Sequence, residues 1–185
     1  MLTKLLRLFS SGPNIEDLHD FYAKRGRLDE HAHVRATYRV RIDAPVDVVW
    51  GHLADIARWP DWSAGITDVQ LPHGVAVDRP FHWRNGIHRI DSRIAVLAPE
   101  QEISWTGVCG GFLAKAVHRQ LLVADGDGTW VTAEESMSGP LLPLYYSDAK
   151  LRDSLVSWMA ELQRVAEAAR SAAPRAHAAA TQDQL

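Results

Sequence analysis

Apolar positions along this 185-residue chain change period twice. Near the start, Leu2, Leu5, Leu6 and Phe9 line one side of a short predicted helix that carries Lys4 and Arg7 on its other side. Asn14 is placed to cap a second helix through IEDLHDFYAKRG. These helices would pack on the rest of the chain or on a second subunit, and the first has the alternative of touching a membrane surface. From His33 the period becomes two, and HVRATYRVRI reads as a strand with one wet and one buried face. In RIDAPVDVVWGHLADIARWPDW, residues 41–62, Pro45 suits a first helical turn, and Val46, Val49, Trp50 and Leu53 recur at helical spacing. The pattern predicts a break near Asp55 and a second short helix, with Pro60 disfavouring helical geometry at Trp59 and turning the chain into the next strand.

Strand patterns then follow one another: GITDVQL, VDRPFHW up to an Asn85-Gly86 turn, IHRIDSRIAVL, EISWTGV, FLAKAVHRQLLV and, after Asp125-Gly126-Asp127-Gly128, TWVTAEESMSG. Beyond Pro143 a long stripe of Leu151, Leu155, Trp158, Met159, Leu162, Val165 and Ala166 predicts one dominant helix to about residue 170. The chain therefore divides into an N-terminal helical extension (1–32), a main domain (33–170) and a C-terminal tail (171–185) that lacks the stripe and is expected to be flexible. The class is α+β, with an antiparallel sheet of about seven strands covered by the long helix.

Composition narrows the chemistry. A formal charge of −3 offers no general attraction to nucleic acid, so no nucleic-acid partner is expected. No run is long and apolar enough for stable membrane insertion, which points to a cytoplasmic location. Cys109 is the single cysteine, which rules out an intramolecular disulfide and a thiolate metal site. The DGDG run lacks the rest of a calcium loop, the histidines lack short metal-ligand spacing, and neither GxGxxG nor GxxxxGK[ST] is present; no metal and no cofactor are expected.

The order of elements, with APVDVVWGHLADIARWPDW at 44–62, FHW at 81–83, GIHRIDSRI at 86–94, ISWTG at 103–107 and GTWVTAEES at 128–136, resembles the START-like or SRPBCC superfamily in its polyketide cyclase/dehydrase-like branch. That resemblance covers about residues 33–168 and implies a helix-grip fold, a strongly curved sheet wrapped around the long C-terminal helix. It further implies a deep, mostly apolar cavity for a lipid, steroid, polyketide or other aromatic compound. Binding such a molecule is one expected function; cofactor-independent aromatase/cyclase or dehydratase chemistry is the alternative. A partner-binding regulator is a weaker third, and the sequence allows a homodimer.

Individual residues follow from strand parity. His88, Ile90, Ser92, Ile94 and Val96 share a face whose apolar members point it inward, and Phe112, Ala114, Ala116, His118, Gln120 and Leu122 share another. Pairing through the 125–128 turn sets His118 opposite Glu135, while a one-residue slip would bring Glu134 or Ser136 there. A carboxylate fixes the tautomer of an imidazole, and such a pair could hold a ligand or move protons beside a carbonyl. His118 and Glu135 are thus the candidate catalytic pair. Trp83, His88, Ser92, Trp105 and Tyr145 join them as candidate ligand-binding residues, the aromatics as walls and His88 and Ser92 as donors to a ligand carbonyl. Trp50 and Trp158 are expected in the core.

Overall fold

The structure, a computed structural model, describes residues 9–111 and 113–182, with side chains described as far as 172. Leu2, Leu5, Leu6 and Phe112 lie outside the described residues. Helix α1 (Ile15–Asp17) runs on through a π turn (Leu18–Tyr22) and a 3-10 turn (Ala23–Arg25). The Asn14 side chain caps it as expected, accepting from the Asp17 N–H at 2.8 Å. Strand β1 (Val34–Ile42) leads to α2 (Val46–Ala54), a 3-10 turn (Ile56–Arg58) and α3 (Trp59–Trp62). Strands β2 (Ile66–Gln70), β3 (Pro80–Asn85), β4 (His88–Ala98), β5 (Glu102–Cys109), β6 (Ala114–Asp125) and β7 (Gly128–Ser138) follow. Two helices close the chain, α4 (Leu142–Tyr145) and α5 (Asp148–Gln182), the second staying helical beyond the end of the apolar stripe.

The seven strands form one antiparallel sheet in the order β1-β7-β6-β5-β4-β3-β2. Its α+β layout, a curved sheet with a long C-terminal helix, is the helix-grip architecture. An unpaired edge exposes backbone N–H and C=O groups, and β1 is such an edge. Helix α5 lies along it and supplies side chains in place of a neighbouring strand. Asp148 accepts from the Arg35 N–H at 2.8 Å, Arg152 donates to the Thr37 carbonyl at 2.9 Å, and Glu167 and Arg170 serve the N–H and C=O of Asp43.

Two local outcomes differ from the sequence expectation. Helix α3 runs through Pro60, with Trp59 in right-handed helical geometry. A proline costs no hydrogen bond in a first turn, and Trp59 is held there by complete burial and by its indole N–H donating to the Leu53 carbonyl at 3.1 Å. In β4 the register shifts between Ile94 and Val96, so Ala95 packs on the outer face and Leu97, rather than Val96, reaches the inner core.

The main core lies between sheet and α5, where Ile42, Leu53, Phe81, Ile103, Val131, Met159 and Leu162 are fully buried. A smaller core sits on the sheet's other side: Leu18 and Ala23 of the N-terminal segment pack on Ala95 and Val117. The sheet is thus covered on both faces.

Candidate functional site

The inner face of the sheet positions the site through one cross-strand row. Ala36, Glu135, His118, Trp105 and Ile94 are successive register partners across β1, β7, β6, β5 and β4. The 125–128 connection is a two-residue turn in which Asp125 already pairs with Gly128, and this sets His118 opposite Glu135. Glu134 and Ser136 belong to the outer face, where Glu134 pairs with Arg119 at 3.3 Å and Ser136 accepts from the Asp29 N–H.

His118 Nδ1 lies 3.0 Å from Glu135 Oε2. Its ring stacks on Trp105 with centroids 4.3 Å apart and 17° between planes, and meets Trp158 edge-on at 5.3 Å. The remaining nitrogen, Nε2, is 3.2 Å from the amide nitrogen of Gln120. A carboxylate accepts only, so Nδ1 carries a proton; in the neutral ring Nε2 is then the lone-pair nitrogen, and the Gln120 amide donates to it. Gln120 is wholly buried and its carbonyl oxygen has no hydrogen-bond partner among the described residues. Among the described residues the indole N–H groups of Trp62 and Trp158, whose rings stack 6.2 Å apart, also lack acceptors.

Trp59 is the hub of the surrounding aromatics, packing edge-on to Phe81, Trp83 and Trp158 and tilted against Trp105, all within 6 Å between centroids. These rings occupy the interior where the sequence leads one to expect an open pocket. Two surface cavities of about 510 and 430 Å³ lie elsewhere, one lined by Arg27, Arg35, Glu134 and Asp148, the other by His52, Asp55, Arg58 and Trp62. Neither is lined by His118 or Glu135.

The other candidates separate. Trp83 and Ser92 are buried and satisfy one another, the Trp83 indole donating to the Ser92 hydroxyl at 3.0 Å. His88 is exposed at the β3–β4 hairpin, paired in register with Asn85 and apart from His118. Tyr145 is 49% exposed with its hydroxyl towards the Leu113 carbonyl at 3.4 Å. The tyrosine beside the pair is Tyr146, half-buried and bonded to Ser154 at 3.1 Å. Burial pushes its phenol pKa up and the Glu135 charge adds to that, against the Ser154 hydrogen bond. Burial also raises the Cys109 thiol, which keeps it in the unreactive form.

Sequence reasoning set Gln120 on the same face as His118 but passed over its chemistry; an amide two residues from the candidate histidine was the available signal. Tyr146 had no such signal, since the proline-rich segment before α5 has no period to read. Among the described residues no three His, Cys, Asp or Glu side chains converge as a metal site, and no helix is long and apolar enough to cross a membrane.

Residues 33–179 match the profile of the family described as polyketide cyclase / dehydrase and lipid transport. No curated protein matches the chain in sequence. Among solved structures, a hypothetical protein from Helicobacter pylori is 14% identical with a TM-score of 0.66, covering 74% of this chain and 90% of that one. A START superfamily protein from Mycobacterium smegmatis is 14% identical with a TM-score of 0.60, covering 72% and 97%. The Zhui aromatase/cyclase from Streptomyces sp. R1128 is 16% identical with a TM-score of 0.57, covering 72% and 93%. At these identities the likeness is one of fold.

Proposed function

The chain belongs to the polyketide cyclase / dehydrase and lipid transport family, and from that premise we propose that it binds a hydrophobic small molecule, aromatic or polyketide-like, between the curved sheet and α5. The observation that carries this reading is the His118–Glu135 pair, buried against the faces and edges of Trp105 and Trp158. Aromatic walls provide contact area for rings or apolar chains, and a few convergent polar groups orient what they hold. Entry requires the rings to part, and Trp158, only partly buried on α5, is the wall with most freedom to yield.

A second reading is acid–base catalysis, as in a cofactor-independent cyclase or dehydratase. It draws on the same pair: Glu135 orients the imidazole so that Nε2 offers a lone pair for proton abstraction next to a carbonyl. That lone pair already accepts from Gln120, so catalysis needs the amide to swing away first. Binding needs no such step, and this favours the first reading.

The test is titration of the purified chain with 2-naphthol, followed by tryptophan fluorescence. Saturable quenching at one equivalent is expected, weakened about ten-fold or more in His118→Ala by loss of a buried contact. Quenching that never saturates would sink the proposal.

A further inference from the structure

Within that binding reading, we infer that Gln120 is the specificity-determining residue and that it selects a ligand carrying a hydroxyl group. In the neutral imidazole, with Glu135 accepting at His118 Nδ1, Nε2 is an acceptor, and only the NH₂ end of Gln120 can complement an acceptor at 3.2 Å. The amide is thereby oriented, and its carbonyl oxygen is turned away from the imidazole. Its register neighbours on the inner face are Ile103 of β5 and Ala133 of β7, neither of which has a side-chain donor. The oxygen has no partner among the described residues, in a side chain with 0% exposure.

A buried acceptor without a donor is costly, and folded proteins keep one mainly where something else fills the role. A donor supplied by the ligand would do so. The Trp158 indole, packed against the same imidazole, adds a buried N–H that lacks an acceptor among the described residues. A hydroxyl both donates and accepts, so it can supply the donor that the Gln120 oxygen lacks. An ether, a ketone or a bare hydrocarbon would leave the Gln120 oxygen unsatisfied. The substrate class is therefore an apolar molecule bearing a phenolic, enolic or alcoholic hydroxyl.

Calorimetric titration with 2-naphthol and with 2-methoxynaphthalene, which accepts but cannot donate, tests this. The quantity read is the ratio of the two affinities in wild type divided by that in Gln120→Met, a variant of similar shape without the carbonyl. A value of about ten is expected, the usual effect of one buried hydrogen bond, and a value of one is the unchanged case. If Gln120→Met does not fold, Gln120→Asn draws the carbonyl back by one methylene and gives the same comparison. An unchanged ratio overturns the inference and leaves the binding reading standing, because the hydroxyl then goes to His118 Nε2 or to a buried water. No saturable binding of either probe to wild type overturns the binding reading, and the inference with it.

Discussion

Among the described residues two histidines are buried, on opposite faces of one sheet, and they differ in what their partners leave over. His19, fully buried under the N-terminal segment, meets Thr106 Oγ1 through Nδ1 at 3.1 Å and Asp78 through Nε2 at 2.9 Å. Asp78 in turn holds Lys24 at 2.7 Å. Both ring nitrogens are used and the group pins the segment to the sheet. His118 is nearly as buried and also has both nitrogens engaged, yet its second partner is an amide whose far end has no partner among the described residues. Burial alone does not distinguish the two histidines; the hydrogen-bonding capacity left at the end of each network does.

Substitutions can break that contrast. The largest effect is expected from Trp105→Ala, which removes the wall on which His118 stacks: a loss of about 3–5 kcal/mol in urea unfolding, with saturable naphthol quenching abolished. His19→Ala should cost about 1–3 kcal/mol by stranding Thr106 and leaving a gap, while naphthol affinity stays at the wild-type value. A parallel loss of affinity would show that the two faces are coupled.

Glu135→Gln keeps the shape of the pair but ends the tautomer's fixation, and should cost about 1 kcal/mol in unfolding. Turnover of an aromatic poly-β-ketone separates the two functional readings in this variant and in His118→Ala. Acid–base catalysis predicts a loss of about 10²-fold or more in both, whereas unchanged turnover with binding intact removes the dyad from any chemistry.

The smallest effect concerns pH. Burial lowers the His19 pKa, against the Asp78 hydrogen bond and with help from the Arg93 and Lys24 charges. The folded state therefore binds this proton less readily than the unfolded chain does, and stability rises with pH. The contribution is complete above the ordinary histidine value of about 6.5 and declines as pH falls below it towards the folded value. His52 acts in the same direction through burial and Arg58. In His19→Gln the fall in urea midpoint between neutral pH and about pH 5.5 should shrink but persist; an unchanged slope would remove His19 from the acid response.

Much of the site was legible in the strand patterns, because alternation and turn chemistry act over a few residues. The 112–123 and 129–138 patterns carried their inner sets, and the Asp-Gly turn between them was enough to set His118 against Glu135. Parity failed where a bulge intervened, at Ala95, since an extra residue in one strand leaves no mark in a two-residue period. The reach of side chains was not legible either. Ser92 shares a parity set with His88, yet it is claimed by the Trp83 indole, while His88 stands exposed at the hairpin end.

The N-terminal segment shows the same division. Its Asn14 cap is a local signal and appears as read. Its use of His19 as a buried pin depends on Thr106 and Asp78, residues far along the chain. Likewise WPDW reads locally as a turn, but Trp59 becomes the centre of the aromatic core because β3, β5 and α5 bring Phe81, Trp83, Trp105 and Trp158 to it.

By itself, then, the sequence determined the element order, the antiparallel strands, the long covering helix and the pairing of His118 with Glu135, all of which follow from periods and turns that operate between near neighbours. Tertiary structure alone decided that aromatic rings fill the space beneath that helix, that α5 seals the β1 edge with its side chains, and that Gln120 ends with an unsatisfied oxygen. Those outcomes depend on packing and on competition for hydrogen bonds among residues distant in the chain, and no local pattern encodes which partner wins.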